Sequence, residues 1–176
     1  MAGRPPPDAR YGLGLDADSN RLTPHNDLWA EAYEHEAALI VSVLGDRCIA
    51  IEHIGSTAVT GLAAKPIIDI QIGVADLADV ADFIEPMARV GYDHAHNHGI
   101  PEHEVFGRGQ PRTFLVHVVV HESEQWWRPL RFRDRLRASD ELRAQYARVK
   151  QTLAETTNVR AEYTSGKTAF VDEHSR

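Results

Sequence analysis

The sequence contains a single cysteine, Cys48, in 176 residues, and it has no surplus of basic residues. One thiol cannot close an internal disulfide, so a disulfide-stapled secreted framework is excluded. Lys and Arg number 19 against 26 Asp and Glu, a formal net charge of −7. That balance argues against a general nucleic-acid or membrane-surface binder, although a local cluster of cations can still hold a phosphate. There is no apolar run of membrane-spanning length, and none follows the first residues as a signal peptide would require. A cytoplasmic protein is therefore expected. With 43% hydrophobic and 26% charged residues, the chain has the composition of an ordinary globular protein. A domain of this length buries roughly 70% of its unfolded surface and needs no disulfide or metal to fold.

Histidine, in contrast, is abundant. Ten are present, and His94, His96, His98 and His103 fall close together. Residues 1–20 are proline-rich and polar without periodicity, which predicts a flexible arm ahead of a single domain over 21–176. Helical spacing of Leu28, Ala32, Leu39, Ile40 and Val43 predicts a helix that Asp27 could cap and Gly45 ends. Strands are expected over 48–54, 67–74 and 113–121. The isoleucine content of the second implies burial on both faces, with Asp69 and Gln71 on one of them. Further helices are expected over 76–90, 124–137, 140–156 and 163–173, and a histidine-rich hairpin or active-site loop over 92–110. The order implies an α/β sheet covered by helices.

Chemistry concentrates in His53-Ile54-Gly55-Ser56-Thr57 and, after a gap, Lys65-Pro66-Ile67-Ile68-Asp69-Ile70-Gln71. A strand that runs into Gly-Ser lets backbone approach an anion, and Ser56 or Thr57 adds a hydroxyl. A carboxylate on the next strand can hold a divalent cation that bridges phosphate oxygens. The plainer alternative is a turn at Gly55-Ser56 and a hydrogen-bonded structural acid at Asp69.

The run Ile51-Glu52-His53-Ile54-Gly55-Ser56-Thr57-Ala58-Val59, followed by Gly61-Leu62-Ala63-Ala64-Lys65-Pro66-Ile67-Ile68-Asp69-Ile70, closely resembles the signature of the GrpB family. That family is usually placed in the nucleotidyltransferase superfamily, and some of its members are fused to dephospho-CoA kinase. Leu22-Thr23-Pro24, Trp29, Arg112, His117-Val118-Val119, Trp127-Arg128, Phe132-Arg133-Asp134, Tyr146, Lys150, Tyr163, Lys167 and Phe170 extend the likeness along most of the chain. The resemblance implies a short mixed sheet flanked by helices, a C-terminal helical segment, Gly-Ser opening a helix, and metal-binding acids on the sheet. Superfamily enzymes usually carry Asp-x-Asp or Asp-x-Glu there, with a third carboxylate on a later strand. Here position 71 is Gln, and the later strand supplies His117. One acid and one imidazole suit a single transition metal such as Zn²⁺ or Mn²⁺ better than a pair of Mg²⁺ ions.

The expected machinery is thus Asp69, His117 and His53 as catalytic groups, with Gly55, Ser56, Thr57 and Lys65 around a phosphate. Arg128 and Arg133 would clamp a distal anion. Asp69 and His117 would hold the divalent metal, with Glu52 and His98 as further candidate donors. A nucleoside triphosphate is a candidate substrate. Each residue also has a structural reading: a satisfied sheet histidine at His53 or His117, a solvated loop at His94, His96 and His98, and a salt-bridged helix face for the arginine run. Lys150 and Lys167 are further candidate phosphate contacts, while His25, His35, His103, His121 and His174 read as surface residues. The rivals to a metal-dependent transferase are a repurposed lyase, hydrolase or cyclase and a non-catalytic metabolite-binding module.

Overall fold

A computed structural model of the chain describes residues 7–95 and 102–176. Five strands form a mixed sheet in the order β1-β2-β5-β4-β3: β1 Ala50–Ile54, β2 Ile68–Val74, β3 Tyr92–His94, β4 Glu104–Arg108 and β5 Phe114–Val120. The central pair β2–β5 is parallel and the other pairings are antiparallel. Helices α1 (Leu28–Leu44) and α2 (Ile84–Arg89) cover one face, and α3 (Glu124–Ala138) lies on the other. A C-terminal helical segment follows, with α4 Asp140–Thr156, α5 Arg160–Gly166 and α6 Thr168–His174. This is the mixed α/β architecture expected from the sequence.

Alternation along the strands sorts the two faces. Ile68, Ile70, Ile72 and Val74 join Phe114, Val116 and Val118 beneath α1, where Trp29 and Ile40 complete the main core. The opposite face of β2 and β5 carries Asp69, Gln71, Leu115, His117 and Val119. There Trp126 and Leu130 of α3 pack on Ile54 and Val119. A separate cluster of Val59, Leu62, Phe132, Leu136 and Tyr146 joins the C-terminal helices to the turn region after β1. Ser123 and Ser139 cap α3 and α4, each side chain accepting a backbone N–H three residues on.

Two expected helices are subdivided. Residues 77–83 form a 3₁₀ segment and only Ile84–Arg89 is α-helical, with Pro86 in its first turn, where the missing N–H is tolerated. The last helix is divided at Lys167. The described part of the expected arm is seated against the sheet. Tyr11, Leu15 and Asn20 are buried, Gly14 N–H donates to Pro66 O at 2.9 Å, and Leu15 and Thr23 bridge to Arg112 and Ala64.

Gln71 is 2% exposed and its amide donates to Trp126 O at 2.9 Å, tying β2 to α3. A carboxylate there would be an acceptor facing an acceptor. Gln71→Glu is expected to cost about 2–4 kcal/mol in denaturant unfolding at mildly alkaline pH. Burial would raise the new carboxyl group's pKa in the fold, so the penalty shrinks as the pH falls and the protonated acid donates to Trp126 O. A pH-independent or negligible loss would contradict this account.

Candidate functional site

Gly55 ends β1 with φ 72° and ψ −172°, a conformation that glycine adopts without strain. It opens only the three-residue 3₁₀ turn Ser56–Ala58, not the helix that the family resemblance implies. The glycine is needed for a second reason. A Cβ built on it would stand 2.6 Å from Asp69 Oδ2, so the carboxylate of β2 lies directly against its backbone. The other carboxylate oxygen, Oδ1, is 3.2 Å from His117 Nε2 on the neighbouring strand. His117 Nδ1 is in turn 2.9 Å from His103 Nε2, so His103 is engaged with the site and is not a surface residue.

Gly55, Asp69 and His117 border a cavity of about 330 Å³ under α3 and the C-terminal helices. Its wall brings together Gly55, Ser56, Thr57, Lys65, Asp69 and His117 from the sheet side, and Tyr146, Lys150, Tyr163 and Lys167 from the helices. Among the described residues that line it, Asp69 is the only carboxylate. Lys65 Nζ donates to Asn20 Oδ1 at 2.7 Å and sits 3.6 Å from the centre of the Tyr163 ring, and Lys167 Nζ approaches the same ring at 4.7 Å. Lys150 is 2% exposed and donates to Ala63 O. Burial, reinforced by the like charge of Lys167, brings its amine down to about 7. Burial also lowers Lys167, with Asp69 opposing the shift. The Tyr146 hydroxyl is hydrogen-bonded with the Ser56 side chain, and burial drives its ionisation well above the ordinary phenol range.

Other predicted residues are placed elsewhere. His53 faces α1, on the opposite side of the sheet from Asp69, because Ile54 and not His53 is the register partner of Asp69. Its ring stacks on Tyr33 at 4.8 Å and its Nε2 is 3.0 Å from Thr57 Oγ1. Burial takes this imidazole down to about 4, with the nearby Asp69 carboxylate opposing. Glu52 does share the Asp69 face, but Arg133 Nη1 holds its carboxylate at 2.6 Å and also donates to His53 O at 2.9 Å. Arg133 lines the cavity while anchoring α3, whereas Arg128 pairs with Asp172 of α6 and lines an adjoining groove. His94 pairs with Glu104 at 2.9 Å and packs on Phe106, on the α1 face. His96 and His98 lie outside the described residues.

The acidic pair that would hold two metal ions does not assemble, since Gln71 is turned to α3 and Glu52 is tied to Arg133. Among the described residues no three His, Cys, Asp or Glu side chains are grouped so as to hold an ion. Asp69 and His117 are the two expected donors that the structure brings together. Sequence reasoning had no signal for Tyr146 and Tyr163 as cavity walls beyond their place in the family likeness. The offset that brings His103 to His117 becomes visible only once Val105 is known to pair with His117.

The profile described as GrpB protein matches residues 20–176. This chain belongs to the GrpB family. It is 34% identical over 168 residues to the glutamate-rich protein GrpB of Alkalihalophilus pseudofirmus, covering 92% of this chain and 97% of that one. A UPF0157 protein of Halalkalibacterium halodurans is 38% identical over 154 residues, 86% of this chain and 78% of that protein. Among solved structures, the crystal structure of the conserved protein GrpB from Enterococcus faecalis superposes with a TM-score of 0.80 at 31% identity, covering 88% of this chain and 94% of that one. Among the described residues of this GrpB chain, no helix is long and apolar enough to cross a membrane.

Two outcomes test the local geometry. Gly55→Ala strains a positive φ and drives a methyl group into Asp69, so a loss of about 1–3 kcal/mol in unfolding free energy is expected; a neutral substitution would mean that the carboxylate is free to move. His53 is neutral in the fold down to about 4 but takes up a proton near 6.5 when unfolded. Stability should therefore fall as the pH drops from 6.5 to 4, by up to ~3 kcal/mol from this group. His53→Gln should flatten that part of the stability curve, and an unchanged acid limb would contradict the assignment.

Proposed function

We propose that this GrpB chain is an enzyme of nucleotidyltransferase type that acts on a nucleotide or another phosphorylated small molecule. The observation that carries the reading is the convergence of Lys65, Lys150 and Lys167 on one cavity with a single carboxylate among its described residues, in a protein whose net charge is −7. Ammonium groups held together at such a cost in desolvation and mutual repulsion are most stable opposite an anion. Lys65 and Lys167 contact its oxygens, and the Ser56 and Tyr146 hydroxyls supply neutral hydrogen bonds. Asp69 and His117 stand at the reacting end, where their hydrogen-bonded pair can accept a proton from an attacking hydroxyl or amine. The Asp69 carboxylate would also be a protein donor for one divalent cation, Mg²⁺, Zn²⁺ or Mn²⁺, which His117 could join through Nε2 only by giving up the proton it shares with Asp69. Such an ion would neutralise charge on the phosphoryl group.

The direct Asp69–His117 hydrogen bond also supports a second reading, an acid–base enzyme of lyase, hydrolase or cyclase type that uses no nucleotide. The two readings differ in their products, because only nucleotidyl transfer releases pyrophosphate from a nucleoside triphosphate.

Calorimetric titration with pyrophosphate and with a set of nucleoside triphosphates, with and without Mg²⁺ or Mn²⁺, tests the anion site. Binding is expected in the wild type, and Lys65→Met and Lys167→Met should each weaken it by roughly tenfold to a hundredfold. Unchanged affinity in both variants, or no binding by the wild type, would overturn the cavity assignment.

A further inference from the structure

His103 stands one residue before β4, whose Val105 is the register partner of His117. Its ring stacks on that of His117 with centroids 5.0 Å apart and planes 27° apart, and the two nitrogens meet at 2.9 Å. His117 therefore has both ring nitrogens engaged, one with His103 and the other with Asp69 at 3.2 Å. Charge decides where the protons sit. An ionised carboxylate only accepts, so the Asp69 contact is a hydrogen bond only when His117 carries its proton on Nε2. Its Nδ1 is then a lone pair, and the contact with His103 is a hydrogen bond only if His103 Nε2 donates.

Steric constraint points the same way. The Asp69 carboxylate fills the space that a side chain at position 55 would take, with Oδ2 on the Gly55 side and Oδ1 on His117. The adjustable member is the His117 ring, which borders both the lysine cavity and an adjoining groove of about 280 Å³ that His103 also lines. A half-turn of that ring would set a carbon or a bare lone pair against Asp69. We infer that His103 is a positioning residue of this site. It holds His117 in the Nε2–H tautomer, fixes the plane of the ring, and so keeps Asp69 oriented at the cavity wall. The inference rests on Asp69 and His117 being the working pair proposed above, but its test needs no substrate.

The test is nitrogen-15 NMR of the uniformly labelled full chain, at a pH where imidazoles are neutral. In the wild type, His117 should show the two-bond correlation pattern of a single Nε2–H tautomer. A scalar coupling across the hydrogen bond should link its Nδ1 to His103 Nε2. In His103→Ala the coupling should vanish and the His117 nitrogen shifts should move towards the average of the two tautomers. His103→Gln, whose amide can donate, should return the wild-type pattern where a residue that merely fills space would not. Absence of the coupling in the wild type would overturn the inference without recourse to any variant. So would an unchanged His117 pattern in His103→Ala. Failure of anion binding, by contrast, would leave these spectra as they are, so the two proposals fail separately.

Discussion

The placement of α3 across the open face of the sheet is the constraint from which the site follows. Two polar anchors fix it: the Gln71 amide on Trp126 O, and the Arg133 guanidinium bridging Glu52 and His53 O. Both anchors draw on residues that would otherwise stand beside Asp69 as ligands or bases. Seating the helix therefore roofs part of the cavity and at the same time ties up Glu52, the other acid on that face of β1 and β2. A single acid remains, backed by imidazole. The arginine run serves the same end: Arg131 donates to Ser175 O and Arg137 to Ala58 O, so most of the charge on α3 is spent on holding elements together.

Three ammonium groups in one small cavity need compensation even before a ligand arrives. The compensation comes from carbonyl and amide oxygens and from aromatic faces. Ala63 O receives Lys150, Asn20 Oδ1 receives Lys65, and the Tyr163 ring lies under both Lys65 and Lys167. Contacts of a cation with an aromatic face contribute about 0.5–2 kcal/mol each, the more so when water is excluded. Lys150 also lies 5.1 Å from the centre of the Tyr146 ring, and burial lowers its proton affinity. Among the described residues, the cavity thus gathers its cations beside one carboxylate only.

Much of this architecture is legible in local pattern. The alternation of β2 places Asp69 and Gln71 on one face, and the serine caps and periodicity of α3 and α4 define those helices almost to the residue. What pattern does not encode is which neighbour each strand takes. His53 and Asp69 look like partners along the chain, yet antiparallel pairing of β1 and β2 puts them on opposite faces. His103 lies in a histidine-rich stretch with no local sign that it differs from His94, and only the β4–β5 register separates their fates. The proline-rich start reads as loose because its attachments are to single distant residues, not to a periodic partner.

Asn20 shows where such attachments lead. Its carboxamide oxygen receives Lys65 Nζ, while its nitrogen donates to Thr157 O at the end of α4. One buried amide thus acts as a tie-rod between the strand side of the cavity and its helical roof. A displacement of the Lys65 ammonium would load this rod at both ends, at the segment that carries Asn20 and at the α4–α5 junction.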